Sequence, residues 1–333
     1  MSHSATILGG IEGPDLTSAE RDFFRSADPW GFILFGRNID NPEQLRRLTG
    51  DLREAVGRDA VITIDQEGGR VQRMRAPHWA EWVPPLDQAD LGARAMWLRY
   101  RLIGAELRAV GIDSDCAPTL DVAQAETHPF LRNRCFGSDP AQVAHLGRAA
   151  ADGLLAAGVL PVVKHMPGHG RAVADSHKDL PTVTASLEEL ERVDFAPFRA
   201  LADLPMAMTA HIRFAALDDQ PATSSPRMID LIRNRIGFDG LLMSDDITMN
   251  ALPGSHAERA AATMAAGCDL VLHCNSTIAE METVIAATGP MTDAALRRAA
   301  AALAMRQAPD AADLVALMAE YRDLVPGGGD ALA

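Results

Sequence analysis

Short apolar runs alternate with longer amphipathic stretches along this 333-residue chain. The runs are apolar on both faces and flanked by Gly or Asp, which favours buried strands of a parallel sheet. They are Thr6–Leu8, Phe32–Phe35, Val61–Ile64, Ile112–Cys116, Val159–Val163, Met206–Thr209, Leu241–Met243 and Leu270–Leu272. Eight strands joined by helices predict a single (β/α)8 TIM-type barrel over residues 1–325, with room for one irregular unit. A doubly wound open sheet is the alternative.

Helical signals occupy the stretches between these runs. Ser186 and Glu189 resemble a capping box that opens a helical segment running to about Leu204. The Ala-rich residues after about Pro290 are expected to pack against the barrel, and residues 326–333 are expected to form a disordered tail. The other predicted helices are Asn41–Val56, Arg94–Val110, Asp139–Ala157, Met228–Ile236 and Ala257–Ala266.

Charge and composition restrict the partners that we expect. A formal net charge of −14 argues against nucleic acid and anionic membrane surfaces, because both reward clustered Lys and Arg. The first ten residues contain no Lys or Arg and no apolar core, so no secretory signal is expected. The four cysteines form no CxxC pair, which is typical of reduced, mostly buried thiols. We therefore expect a cytoplasmic protein.

Polar residues follow several of the predicted strands, where a barrel of this type carries its active site. The most informative stretch is Lys164-His165-Met166-Pro167-Gly168-His169-Gly170, followed by Asp175-Ser176-His177. In an extended loop Asp175 and His177 project to the same side, and a carboxylate on an imidazole suits a general acid/base. A polar loop whose side chains only satisfy backbone groups remains the alternative.

Two further strand ends deliver carboxylates. Ser244-Asp245-Asp246 ends one run, and because adjacent residues point to different sides, one acid is expected to face the barrel axis while the other supports a loop or helix start. Asp65-Gln66-Glu67-Gly68-Gly69-Arg70-Val71-Gln72-Arg73 follows another run, and its strand-end carboxylate and two arginines could bind hydroxyl or acetamido groups. Asn133-Arg134 adds a further donor.

These motifs together resemble those of the glycoside hydrolase family 3 β-N-acetylglucosaminidases of bacterial cell-wall recycling. The resemblance covers nearly the whole chain, from Gly31-Phe32-Ile33-Leu34-Phe35 through the Asp65–Arg73 and Lys164-His165 motifs to Ser244-Asp245-Asp246. It implies a retaining exo-glycosidase that releases N-acetylglucosamine from its linkage to anhydro-N-acetylmuramic acid, with or without attached peptide. It implies no cofactor and no metal.

The same resemblance implies the roles of individual residues. Asp245 is expected to be the nucleophile, and His177 with Asp175 the acid/base dyad. The residues expected to bind the N-acetylglucosamine ring are Asp65, Arg73, Arg134, Lys164 and His165. Met166 departs from the Phe common at that place in the family, within a loop where we expect no change in the chemistry.

Other functions remain open at this point. A family 3 β-glucosidase commonly takes its acid/base from a second domain, for which this sequence leaves no room after the barrel. A phosphorylase would be distinguished by product analysis in phosphate buffer, and a non-catalytic sugar-binding module would tolerate loss of Asp245. A metal-dependent hydrolase is disfavoured, because the cluster of His165, His169, Asp175 and His177 lies partly on a Gly/Pro loop rather than on rigid elements. The oligomeric state is not encoded in these patterns, and a monomer is expected.

Overall fold

A closed barrel of eight parallel strands forms the centre of the molecule, as seen in a computed structural model that describes residues 3–174, 176 and 179–326. The strands are β1 (Ser4–Leu8), β2 (Pro29–Leu34), β3 (Val61–Ile64), β4 (Ser114–Asp115), β5 (Leu160–Met166), β6 (Met206–Thr209), β7 (Leu241–Asp246) and β8 (Leu270–His273). Each strand pairs with its sequence neighbours, and β8 pairs with β1 through Val271 and Thr6, which closes the ring and excludes the open sheet. All eight lie on the predicted runs.

Helices surround the barrel. The α-helices are Ser18–Ala27, Pro42–Val56, Pro85–Gln88, Gly92–Ala109, Pro129–Arg132, Pro140–Ala156, Leu187–Arg192, Ala196–Ala200, Pro226–Asp230, His256–Ala266, Ile278–Thr288, Asp293–Ala304 and Leu314–Leu324. Two short strand pairs lie outside the barrel: Gln66–Gly68 with Val71–Gln72, and Thr182–Val183 with Arg213–Phe214. Over the described ranges, the longest apolar helical stretch falls short of what a membrane crossing requires. The expected disordered tail lies, from residue 327 onwards, outside those ranges.

Two predicted helices differ from the expectation. The segment from Ser186 to Leu204 is divided into Leu187–Arg192 and Ala196–Ala200, because Pro197 has no N–H to donate to the preceding turn. The Ser186 hydroxyl does cap the first helix, accepting from the N–H of Glu189 at 3.2 Å. The predicted helix over 228–236 begins as the α-helix Pro226–Asp230 and continues as a π-helical turn over Leu231–Ile236.

The helix Asp293–Ala304 closes the amino-terminal mouth of the barrel. Its buried face joins the inward-pointing side chains of the strands in a single apolar cluster, which contains Ile7, Val61, Leu160, Met206, Leu241, Leu270, Ala295, Ala299 and Ala302. This confirms the prediction that the Ala-rich segment packs against the barrel. Because the amino-terminal mouth is closed, a ligand has access to the barrel axis from the opposite end.

Buried carboxylates tie strands to helices at the closed end. Asp269 precedes β8, accepts the N–H of Leu242 in β7 at 2.9 Å, and pairs with Arg233 at 2.6 Å and Arg298 at 3.0 Å. Asp113 precedes β4 and repeats the arrangement, accepting the N–H of Ile62 in β3 at 2.8 Å. The arginines that it binds are Arg53 and Arg306. These acids therefore stabilise the barrel far from its open mouth.

We predict that Asp269→Ala destabilises the protein without altering its active site. Removing one partner of a buried ion pair costs about 3–5 kcal/mol of unfolding free energy. Here Arg233 loses the carboxylate that it binds, and Arg298 keeps only the exposed Asp239. Thermal and urea unfolding measure the loss. Asp239→Asn is the matched control, since Asp239 binds the same Arg298 at 2.9 Å but is 76% exposed. This exposed pair should contribute at most about 1 kcal/mol. Equal losses in the two variants would contradict the account.

Candidate active site

A cleft of about 440 Å³ opens at the carboxyl-terminal ends of the strands. The polar residues that line it are Asp65, Arg70, Arg73, Arg134, Lys164, His165, His169, Ser176, Asp245, Asp246, Thr248 and Asn275. The apolar residues that line it are Ile33, Phe35, Val71, Phe130, Met208, Met249, Leu272 and Cys274. A cavity lined by both polar and apolar side chains suits a ligand that carries many hydroxyl groups on a carbon ring.

Buried charges of alternating sign form one wall of this cleft. The Lys164 ammonium donates to Asp65 at 2.9 Å and contacts Glu67 at 2.6 Å. Arg73 donates to the second oxygen of Asp65 at 2.8 Å. Arg134 binds both oxygens of Glu67, through Nε at 2.9 Å and Nη2 at 2.7 Å. Because each cation contacts a carboxylate, several charges are buried together at a far lower cost than any of them alone.

The pairing keeps these groups ionised. Burial raises the pKa of Glu67, but Arg134 and Lys164 outweigh it and lower the pKa to about 2. Burial likewise raises the pKa of Asp65, and Lys164 with Arg73 holds it well below its usual range. Lys164 has three N–H groups and Arg134 has five, so each keeps hydrogens that the two acids do not occupy. Those hydrogens are available to hydroxyl or carbonyl oxygens of a ligand.

Asp121 orients a second group of side chains below the same wall. One oxygen accepts from His165 Nδ1 at 2.7 Å, while the other accepts the backbone N–H groups of His165 at 3.3 Å and His169 at 2.6 Å. A carboxylate can only accept there, so Nδ1 of His165 carries the hydrogen and Nε2 faces Arg134 Nη2 at 3.5 Å. Asp121 thereby fixes which nitrogen of His165 points along the wall.

Asp121, His165 and His169 are also the described residues that come nearest to a metal site. Their ligand atoms lie within 4.8 Å of one another. His169 is buried, and its Nε2 has no partner among the described residues. Burial, with His165 nearby, lowers the pKa of His169 to about 4, so its imidazole is neutral. A cation here would have to displace the hydrogen bond between Asp121 and His165.

The two acids at the end of β7 take different positions. Asp246 is fully engaged: its oxygens accept from the N–H of Thr248 at 3.0 Å, from the Thr248 hydroxyl at 2.6 Å and from the N–H of Cys274 at 3.2 Å. Asp245 accepts the N–H of Asp246 at 2.8 Å through Oδ1. Over 3–174, 176 and 179–326, no cation lies within ion-pair distance of Asp245. As the sequence predicts for one of these acids, Asp246 supports the loop after β7, while Asp245 lines the cleft.

The electrostatic surroundings keep Asp245 charged. Burial raises the pKa of its carboxyl, but the imidazoles of His211 and His165, the N–H of Asp246 and the Lys164 ammonium together bring it below the ordinary value. His211 itself lies behind β7, where its Nε2 contacts the carbonyl of Asp246 at 3.0 Å and its Nδ1 contacts the Thr223 hydroxyl at 2.8 Å. The carboxylate is therefore ionised near neutral pH and held on a supported turn.

Six of the eight residues singled out from the sequence line this cleft: Asp65, Arg73, Arg134, Lys164, His165 and Asp245. The other two, Asp175 and His177, lie outside the described residues, while Ser176 between them is buried in the cleft wall. Sequence reasoning missed Glu67 and Asp121 as site residues, and it considered His169 only as a ligand in the disfavoured metal site. Glu67 and His169 stand inside the motifs already quoted, whereas Asp121 follows no apolar run and carries no local signal.

Comparison with known proteins gives a consistent family. The family model described as the glycosyl hydrolase family 3 N terminal domain matches residues 19–304. A relative named Beta-hexosaminidase from Tolumonas auensis is 40% identical over 284 residues, covering 81% of this chain and 83% of the relative. One of the same name from Bordetella avium is 38% identical, covering 81% and 80%.

Solved structures with the same architecture include NagZ from Neisseria gonorrhoeae, with a TM-score of 0.85, 30% identity and full coverage of both chains. A family 3 β-N-acetylglucosaminidase from Paenibacillus sp. str. FPU-7 has a TM-score of 0.88 and 28% identity, covering 96% of this chain and 67% of that one. The N. gonorrhoeae protein has also been solved with N-trifluoroacetyl-D-glucosamine, at 31% identity and a TM-score of 0.85, covering 97% and 99%.

We predict that Asp121→Asn impairs the site through His165. The backbone N–H groups of His165 and His169 retain the amide oxygen, so the amide N–H₂ faces Nδ1. The imidazole hydrogen then moves to Nε2, which reverses what the ring offers to a ligand. A hydrogen bond to a charged group contributes about 1.5–3 kcal/mol, which corresponds to a fall of roughly 10- to 100-fold in kcat/KM. Steady-state kinetics with a nitrophenyl β-N-acetylglucosaminide measure this fall in kcat/KM. Asp269→Asn, at the closed end of the barrel, is the control, and equal kcat/KM in both variants would rule out this role for Asp121.

Proposed function

Since this chain belongs to glycosyl hydrolase family 3 and is a glycoside hydrolase of the β-N-acetylhexosaminidase class, we propose that it removes terminal β-linked N-acetylglucosamine with retention of configuration. In the proposed reaction Asp245 attacks the anomeric carbon and forms a covalent glycosyl-enzyme. Water then cleaves that bond and releases the sugar. The proposal places every step at the open mouth of the barrel.

One observation carries the assignment of the nucleophile. Three carboxylates line the cleft, and two of them use both oxygens: Asp65 binds Lys164 and Arg73, and Asp246 binds Thr248 and Cys274. Asp245 accepts through Oδ1 only, within the part of the chain that the structure describes. A nucleophile needs an oxygen that other donors do not occupy, and among these three carboxylates Asp245 alone keeps one within the described residues.

The charged wall supports binding of a neutral, hydroxyl-rich ring. Lys164 and Arg134 retain N–H groups for ring hydroxyl or acetamido oxygens, and His165 presents Nε2 beside them. Asp65 and Arg73 complete the proposed set at the mouth of the cleft. Because the wall pairs its charges internally, it can bind a neutral sugar without requiring a charged group on it.

We assign the acid/base role to His177, oriented by Asp175. This assignment rests on the family resemblance and on the burial of Ser176, the residue between them, in the cleft wall. In the first step protonated His177 gives its proton to the leaving oxygen while Asp245 bonds to C1. In the second step neutral His177 takes a proton from water, whose oxygen bonds to C1 and frees Asp245. The proton count balances over the two steps.

The natural substrate that we propose is N-acetylglucosamine linked to anhydro-N-acetylmuramic acid, with or without peptide, in cytoplasmic recycling of the cell wall. It is supported by the family resemblance and by the agreement with NagZ over both full chains. A sugar analogue with an N-acyl group, N-trifluoroacetyl-D-glucosamine, was bound to that N. gonorrhoeae protein. The N–H donors of Lys164 and Arg134 in this cleft suit an N-acyl amino sugar of the same kind.

We predict that Asp245→Asn loses nearly all turnover, by about 10³-fold or more, because the amide cannot form the glycosyl-enzyme. The fold should persist, since Asn retains the acceptor for the N–H of Asp246. An activated 5-fluoro sugar should label the wild type at Asp245, and peptide mapping by mass spectrometry locates the adduct. Asp246→Asn is the matched control and should still be labelled at position 245. An adduct on any other residue would refute the assignment.

We predict that His177→Ala discriminates between leaving groups. A nitrophenolate departs without a proton, whereas a sugar hydroxyl requires one, so the variant should lose about 10²- to 10⁴-fold on a disaccharide and much less on the nitrophenyl glycoside. Measuring kcat/KM on both substrates gives the ratio. His128→Ala supplies the control, since His128 caps the helix Pro129–Arg132 by accepting the N–H of Phe130. Equal losses on both substrates would argue against an acid role.

A further inference from the structure

The helix Leu314–Leu324 lies beyond the segment that the family model matches, yet it sends one side chain deep into the protein. Tyr321 is fully buried and packs its ring edge-on against Trp82, with ring centroids 5.2 Å apart. Its hydroxyl donates to Gln88 Oε1 at 2.8 Å. The helix is thus joined by a hydrogen bond to the region behind the cleft.

Gln88 also forms a hydrogen bond with a buried arginine, Arg99. Its Nε2 donates to the carbonyl of Ala95 at 2.8 Å, which fixes the orientation of the amide. Its Oε1 accepts from Arg99 Nη1 at 2.8 Å as well as from Tyr321. Arg99 is fully buried, and its Nη2 donates to the carbonyls of Glu67 at 2.7 Å and Val83 at 2.5 Å. Its hydrogen-bond acceptors among the described residues are therefore neutral.

The turn after Glu67 is built around this guanidinium. Gly68 has φ +99°, a backbone conformation that side chains rarely adopt, and a Cβ there would lie 1.9 Å from Arg99 Nη2. The glycine is needed because Arg99 occupies the space, rather than because a ligand approaches. The backbone of Glu67 is consequently held by Arg99 on one side, while its carboxylate holds Arg134 and Lys164 on the other.

We propose that the C-terminal helix is part of the substrate-binding machinery: Tyr321, through Gln88 and Arg99, positions Glu67 and with it the cations that bind the sugar. A buried arginine with neutral partners is costly, and its place depends on every acceptor being correctly oriented. Loss of the Tyr321 hydroxyl leaves Gln88 with one fewer donor and loosens the Arg99 contact. Tyr321, Gln88 and Arg99 touch no substrate, and all three are positioning residues.

The test compares Tyr321→Phe with the wild type on a nitrophenyl β-N-acetylglucosaminide. Removing one hydroxyl keeps the ring against Trp82, so KM should rise about three- to tenfold while kcat changes by less than about twofold, because the sugar-binding donors move and Asp245 does not. The control is Glu320→Gln, the neighbouring position, whose exposed ion pair with Arg94 at 2.6 Å anchors the same helix. It should leave KM unchanged.

A double-mutant cycle tests whether Tyr321 affects KM through Glu67. Glu67→Gln alone should raise KM, and adding Tyr321→Phe to it should raise KM little further, because both act on one group. KM does not depend on the fraction of active enzyme, so incomplete folding of a variant does not obscure the result. Arg99→Lys, which retains a positively charged donor group, should recover part of the affinity lost in Arg99→Met.

The inference rests on the proposed sugar site, and the cycle separates the two. If Tyr321→Phe lowers the melting temperature with KM unchanged while Glu67→Gln raises KM, the helix is only structural and the inference is overturned. Independent, additive effects of the two substitutions on KM would also overturn it. If Glu67→Gln leaves KM unchanged, the proposed sugar site fails and the inference fails with it.

Discussion

The ion pairs between Glu67, Lys164 and Arg134 are the constraint on which the cleft depends. They join the turn after β3, the end of β5 and the Asn133-Arg134 turn, so three segments distant in sequence are fixed relative to one another. Any one of these charges would be costly to bury alone, and together they are stable because each acid binds more than one cation. The wall that results is rigid, rich in donors and nearly balanced in charge.

Asp245 lies outside this network of ion pairs, and its proposed role depends on that difference. The oxygens of Asp65 and Asp246 accept from cations, backbone N–H groups or the Thr248 hydroxyl. Asp245 has a lowered pKa and accepts one hydrogen bond from the residues that the structure describes. A retaining glycosidase needs one carboxylate as nucleophile and other groups to bind the sugar. A carboxylate whose lone pairs already accept hydrogen bonds is a poor nucleophile. The barrel brings both kinds of residue together because all eight parallel strands end at the same rim.

The sequence predicts the barrel well because buried parallel strands are apolar on both faces, and all eight runs became strands. It also predicts the rim, since Asp65 directly follows β3, and Lys164 and Asp245 lie near the carboxyl-terminal ends of β5 and β7. It does not predict Asp121, whose contact with His165 spans 44 residues, or the pairing of Glu67 with Arg134 across 67 residues. Such contacts arise only from the tertiary arrangement. Pro197 in the sequence also indicates the division of the segment after Ser186.

The stereochemistry of the first product tests the central claim most directly. Hydrolysis of a β-linked N-acetylglucosaminide is followed by proton NMR in the first minutes, before the released sugar equilibrates between anomers. Two successive displacements at Asp245 predict that the β-anomer of N-acetylglucosamine appears first. Appearance of the α-anomer first would mean a single displacement by water and would contradict a covalent intermediate on this carboxylate.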